Sequence, residues 1–244
     1  MSLVHDAAGL PNPIRHRKWK AKRQKIFKHA QRAGLAAVRQ AVALHDIDVQ
    51  RILKGLGQSL HDLRDAALIA LASDTLCRES ELVEVTCEAL QENRGDGTWA
   101  LRVERSKTNQ EGTKQDFRFV SDDTVRRIEE WKTAAGITEG PIFLSLGGRP
   151  KHGKAPPPYL RPQQVARIYR RRALQAGLPD AGVISGHSTR VGTALDLSNN
   201  GATTREIALA GGWASEESVG RYTRKSDAGR NAVARLRSTK RPAP

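Results

Sequence analysis

The 244-residue chain is long enough for one large or two small domains with a real core, and its 38% hydrophobic content fits a globular protein rather than a disordered one. Its 41 Lys and Arg against 26 Asp and Glu leave a formal charge of +15 and a pI near 10.4, which favours a polyanionic partner, nucleic acid first. No apolar run approaches the roughly 18 residues of a membrane span, and the N-terminus lacks a basic head followed by an apolar stretch, so the expected location is cytoplasmic.

Between Ala7 and His45 stand ten Lys or Arg residues and no acid, behind Pro11 and Pro13. This reads as an extended lead-in followed by a basic helix, over 1–45, suited to the DNA backbone or else a plain solvated face. From Asp46 the pattern turns helical, with Asp46 as cap for a helix carrying Val49, Ile52 and Leu53, and a second, strongly apolar helix over Leu63–Leu76. Cys77 and Cys87 are ten apart, without a C-x-x-C or a nearby His, and read as small core residues rather than zinc ligands or a disulfide.

After Leu82 the period shifts. Thr98–Glu104 and Gln115–Val120 alternate apolar and polar residues around a polar Ser106–Gly112, which predicts a small antiparallel sheet with a turn. Helix returns over Asp122–Ala135, Ile142–Leu144 is a strand candidate, and Gly147–Pro158 holds too much Gly and Pro to be regular. Further helices are expected over Pro162–Ala176, Thr189–Ser198, Thr204–Leu209 and Ala228–Leu236. The expected fold is mainly α with a small antiparallel β-sheet, the region from residue 46 to 244 forming the main domain.

The segment Ser185–Tyr222 places His187-x-x-Arg190, Gly-Gly-Trp213 and Tyr222 in a set order. Upstream stand Arg78 and Glu81 in LCRESEL, and Lys107-Thr108 in the sheet turn. Singly each is common: a lone Arg, Lys or Tyr is usually a surface or packing residue, and Trp213 could be a packed aromatic. As an ordered set they resemble the tyrosine recombinase, or phage integrase, family over roughly Asp46–Leu236. The resemblance implies a catalytic domain that breaks and rejoins double-stranded DNA, with Arg78, Lys107, His187, Arg190, Trp213 and Tyr222 catalytic and Glu81 supporting.

Chemistry explains why those residue types are wanted. A phosphodiester repels nucleophiles and gathers further negative charge during displacement, so fixed cations do much of the work. Arg78 and Arg190 fit, because guanidinium stays charged and grips phosphate oxygens in a fork. Tyr222 offers a phenol that ionises far more readily than serine and conserves the bond energy for religation. His187, one helical turn from Arg190, can donate to the phosphate or accept the phenol proton. Lys107 would protonate the departing 5′-oxygen, Trp213 can donate its indole N–H, and Glu81 would hold Arg78 by an ion pair. No cofactor or metal is expected, since nearby acids lack ligand spacing.

The family also has an N-terminal core-binding domain, which this chain is expected to lack. It is further expected to assemble as a homotetramer on paired sites through the Ala228–Leu236 helix, whose Ala232, Val233 and Leu236 form an apolar stripe. Two other readings remain at this point: a type IB topoisomerase-like enzyme, and an inactive basic DNA-binding remnant. An RNA-binding role is disfavoured by the 5% aromatic content.

Overall fold

The computed structural model describes residues 5, 8–12, 16–33, 40–103, 116–147, 159–229 and 231–238. The turn over Ser106–Gly112, with Lys107 and Thr108, and most of the Gly147–Pro158 loop lie outside these. The chain forms two units, 1–40 and 41–244. The first holds helix α1 (Arg17–Arg32), which has no acid in its first turn and His29 and Arg32 in its last, where cations complement the helix dipole.

The second unit is built around α3 (Leu60–Thr75), started by Ser59, whose hydroxyl accepts from the Asp62 amide at 3.2 Å. Ala67, Leu68, Ile69, Leu71 and Ala72 are all fully buried, so this helix is apolar around most of its surface, as a central helix must be. Each such leucine or isoleucine contributes about 1.5–3 kcal/mol relative to exposure. Around α3 pack α2 (Asp46–Lys54), α5 (Asp122–Ala135), α7 (Ser188–Asn199) and strand β3 (Asp116–Val120). The cap of α2 is His45 and not Asp46. The Asp46 amide already donates to the Asp196 carboxylate at 2.8 Å, while Asp48 closes the cap by accepting from the His45 amide at 3.1 Å.

The sheet runs β1 (Leu90–Glu92), β2 (Trp99–Val103), β3 in order, all antiparallel, with Trp99 opposite Val120 and Val103 opposite Asp116. Leu101, Val103, Arg118 and Val120 face inward, and Phe117 and Phe119 face out. The strand candidate Ile142–Leu144 is not a strand: it makes only isolated bridges, Thr86 to Pro141 and Leu144 to Tyr159. Its apolar character reports burial instead. Ile142 and Phe143 are fully buried, and the Ile142 carbonyl accepts from the indole Nε1 of buried Trp131 at 2.8 Å.

Helix α4 (Glu79–Leu82) follows α3 after a sharp break, and α6 (Pro162–Gln175) begins with proline at its first turn. Helix α7 is clamped by the chain before α2: a methyl group at Gly192 would overlap the Leu44 backbone, the Leu44 amide donates to the Ser188 carbonyl at 2.9 Å, and His45 Nδ1 meets Asp196 at 2.7 Å. Helices α8 (Thr204–Gly211), α9 (Glu216–Ala228) and α10 (Ala232–Ser238) complete the chain. A large core joins α2, α3, α5, α6 and the sheet, whereas Leu76, Ala194, Ile207, Ala208 and Val219 form a smaller second one. Cys77 belongs to the large core, where burial pushes its thiol up to about 11, and Leu76 to the small one.

Candidate active site

The seam between these two cores begins at Leu76, a buried non-glycine residue in the left-handed region, φ 50°, ψ 24°. That conformation costs free energy for a side chain with a Cβ and persists only where its surroundings enforce it. It turns the chain out of α3 and directs the Leu76 carbonyl onto the Arg190 guanidinium, which donates to it through Nη1. Arg190 lies in the first turn of α7 and is 2% exposed. Its other terminal nitrogen, Nη2, is buried and has no hydrogen-bond partner among the described residues.

Among the described residues Arg190 makes no ion pair with a carboxylate. Its guanidinium carbon stands 3.7 Å from the ring centroid of Trp213, a contact worth roughly 0.5–2 kcal/mol. Burial lowers its pKa from the ordinary guanidinium range to about 10, and the neighbouring Arg78 pushes the same way. Glu81 and Cys77 oppose that shift, and Arg118 reinforces it. A cation held this way is charged at neutral pH and underserved by its protein neighbours, the condition in which an incoming anion gains most.

Arg78 caps α4 and is tied to Glu81 twice, side chain to Oε1 at 2.5 Å and backbone amide to Oε2 at 2.8 Å. Glu81 is 5% exposed, so this capping box immobilises the arginine from beneath while its side chain stays partly open. His187 is the exposed residue before α7, one turn from Arg190. Its amide donates to the Ser185 hydroxyl at 3.2 Å.

Trp213 is delivered by the end of α8. Gly212 takes the left-handed conformation at φ 58°, the Gly212 amide reaches the Leu209 carbonyl at 3.3 Å, and the Trp213 amide reaches that of Ala208 at 2.9 Å. The preceding glycine is needed for room: a methyl group at Gly211 would sit inside the Trp213 ring. Gly-Gly-Trp is therefore a helix terminator that swings an indole back over its own helix. Tyr222 is half-buried within α9, rather than before a helix as its sequence context suggested, with its ring centroid 6.1 Å from that of Trp213. The structure thus joins Arg190, Trp213 and Tyr222 in one contact chain, brings Arg78 within electrostatic reach of Arg190, and leaves Lys107 outside the described residues.

Residues 43–228 match the model of the phage integrase family. The chain belongs to that family. It is 28% identical over 247 residues to recombinase Cre of Escherichia phage P1, the match covering 97% of this chain and 71% of that protein. Its fold is shared with XerA recombinase, at a TM-score of 0.60 and 17% identity over 100% of this chain and 74% of that one. A further solved relative is XerH site-specific recombinase bound to a palindromic difH substrate, at a TM-score of 0.61 and 16% identity over 80% of this chain. The matched part spans only about half, 53%, of the XerH chain. All seven sequence-predicted site residues fall inside the family match, whereas α1 and α10 fall outside it.

Two features of the site had no sequence signal that was used. The Leu76 carbonyl is a backbone group, detectable only as a residue next to the LCRESEL motif. Arg118 is buried at 2% exposure, lies on the inward face of β3, and abuts Gly212. Its position was readable as a charge on the apolar side of an alternating strand.

Proposed function

We propose that the chain is the catalytic part of a site-specific tyrosine recombinase that cleaves and rejoins double-stranded DNA through a 3′-phosphotyrosyl intermediate at Tyr222. The observation that supports this reading most is the buried Arg190 guanidinium, which among the described residues has an unpartnered Nη2 and no ion pair, linked through Trp213 to the Tyr222 ring. In cleavage, the Tyr222 oxygen attacks phosphorus in line with the 5′-oxygen, forming the P–O(Tyr) bond as the P–O5′ bond breaks. Arg190 and Arg78 carry the charge that builds on the non-bridging oxygens, with Glu81 holding Arg78 in place. His187 accepts the phenol proton or donates to the phosphate, and Lys107 protonates the 5′-oxygen. Trp213 orients Arg190 and offers its indole N–H to the phosphate. Religation is the reverse and conserves the bond energy, so neither ATP nor a cofactor is required.

The basic segment 1–45, with α1, follows the DNA backbone, consistent with the ten Lys and Arg and no acid between Ala7 and His45. Helix α10 exposes Val233 and Leu236, at 62% and 56%, which supports docking on a second copy in a homotetramer on paired sites. No described helix is long and apolar enough to cross a membrane, in keeping with a cytoplasmic enzyme acting on chromosomes or plasmids.

The test uses a library of nicked duplexes with randomised flanks, in which cleavage releases the short fragment between the scissile phosphate and the nick, with its new 5′-hydroxyl, so that the strand cannot be rejoined. The full chain should trap a denaturant-resistant DNA adduct, and peptide mapping should place it on Tyr222. Recovery of no adduct, or of one on another residue, would overturn the proposal.

A further inference from the structure

Arg118 is a second buried arginine in the neighbourhood of Arg190, and no role above uses it. It stands on the core-facing side of β3, where alternation calls for an apolar residue like Val120 two positions on. Its two terminal nitrogens fork onto Asp116, Nη1 to Oδ1 at 2.5 Å and Nη2 to Oδ2 at 2.6 Å. Its Nε is buried without a partner among the described residues. A long cation in an apolar position, incompletely satisfied, costs stability that a valine or leucine would not.

What that guanidinium touches is the backbone of Gly212. A methyl group there would occupy the space of Arg118 Nη2 and its central carbon, so the guanidinium packs directly against the one residue whose left-handed turn delivers Trp213. We propose that Arg118 is a positioning residue for DNA cleavage: anchored on Asp116, it is the platform on which the Gly211-Gly212-Trp213 turn closes, and it thereby sets the indole against both Arg190 and Tyr222.

Connectivity adds a second consequence. Asp116 opens β3 opposite Val103, so the Asp116–Arg118 fork stands at the base of the 104–115 connection that carries Lys107. One ion pair thus ties the strand leading to Lys107 to the turn leading to Tyr222. Arg118 also adds to the cationic pressure on Arg190, which places it within electrostatic reach of that residue. The glycine pair alone would allow the turn. Arg118 decides where the turn comes to rest.

This inference rests on the recombinase reading above, and the experiment separates the two. Adduct formation by the full chain is followed at saturating DNA, on the duplex recovered from the nicked library, for the wild type, Tyr222→Phe, Arg118→Met, Arg118→Lys, Asp116→Asn and Gly212→Ala. Arg118→Met should slow cleavage roughly ten- to hundred-fold, as a small misplacement of catalytic groups does, while DNA affinity stays within about three-fold. Asp116→Asn and Gly212→Ala should slow it in the same sense. Arg118→Lys should recover part of the rate by keeping the ion pair. Combining Arg118→Met with Gly212→Ala should give much less than the product of the two losses, because both act through one contact.

A wild-type rate in Arg118→Met, or a loss that follows only the folded fraction or DNA affinity, would overturn the positioning role. If Arg118→Met does not fold, Asp116→Asn decides, since it conserves shape and only loosens the guanidinium, and an undiminished rate in it likewise overturns the role. A wild-type chain that forms no adduct refutes the recombinase reading and this inference together. A wild-type adduct with an unchanged Arg118→Met rate refutes this inference alone.

Discussion

Two arginine clusters in this molecule are partnered in different ways. Around Asp65, which is wholly buried, Arg64 donates through Nε and Nη2, Arg171 through Nη2 at 2.6 Å, and Arg172 through Nε at 2.7 Å. Arg172 also reaches Asp62 at 2.7 Å and Gln175 at 3.0 Å, and Arg64 reaches the Leu144 carbonyl at 3.3 Å. The Ser59 hydroxyl, with help from Arg172, holds Asp62 below the usual carboxylate range. Around Arg190 the partners are a carbonyl, an aromatic face and other cations. The first cluster holds α3 to α6, with a buried carboxylate at its centre. In the second, Arg78 and Arg118 have carboxylates while the central Arg190 has no ion pair among the described residues, and a guanidinium so placed suits a transition state with growing negative charge. Burial alone does not distinguish structural from functional arginines; the bookkeeping of their partners does.

The comparison is broken most completely by removing the reactive oxygen. Tyr222→Phe should abolish the covalent adduct altogether, with DNA affinity within a few-fold, because the ring still packs against Trp213 and the cationic surface is unchanged. Denaturing gels of the trapped reaction read it, and an adduct persisting in this variant would show that the nucleophile lies elsewhere.

Next in size is Arg190→Met, expected to cut cleavage by about a thousandfold or more, as loss of a preorganised transition-state cation does. Its thermal midpoint should hold or rise, since an apolar side chain of similar length no longer pays for burying an unpaired charge. The sign follows from the depressed pKa. The folded chain binds that proton less tightly than the unfolded chain, so the penalty is fully present below about pH 10 and eases as pH rises above it. Cleavage should accordingly fall as pH passes about 10, where Arg190 begins to lose its charge. A marked loss of stability in Arg190→Met would place this residue with the Asp65 cluster instead.

Lys107→Ala extends the contrast to a cation that spends its proton. It should impair cleavage of a natural phosphodiester and do so far less on a 5′-bridging phosphorothiolate, whose thiolate departs unprotonated. Equal defects on the two substrates would remove the general-acid assignment.

Asp65→Asn gives the smallest effect on catalysis and the clearest one on stability. Leaving three arginines short of a buried carboxylate should cost about 3–5 kcal/mol in denaturant unfolding, while the cleavage rate per folded molecule stays near that of the wild type. A rate falling with stability fully retained would reverse the distinction between the clusters.

Much of this was legible in the chain itself. The alternation at Trp99–Val103 and Asp116–Val120 predicted both strands, and the apolar run before Leu76 predicted α3, because side-chain period follows directly from backbone geometry. Less was legible where periodicity is weak. Leu90–Glu92 is a three-residue edge strand without alternation, and the Ile142–Leu144 run was apolar because it is buried, not because it is extended into a ladder. The helix that carries Tyr222 has little apolar periodicity to read, since it is short on apolar residues, with Val219 and Thr223 alone fully buried among its described side chains. The order Arg78, Lys107, His187, Arg190, Trp213, Tyr222 was complete in one dimension, since phosphoryl transfer dictates residue types and a family preserves their sequence order.

Which charges would be neutralised could not be read that way. Arg172 and Arg190 each stand in a helix with no acid close by in sequence, and nothing local separates them. Arg172 finds Asp65 across 107 residues of chain, and Arg190 finds the Leu76 carbonyl across 114. Composition and spacing determined that this protein would carry cations, a phenol and an indole in a set order. Tertiary packing decided that one guanidinium would be matched with a carboxylate and the other set against a ring and a strained carbonyl, because at such separations only the folded backbone determines which groups meet.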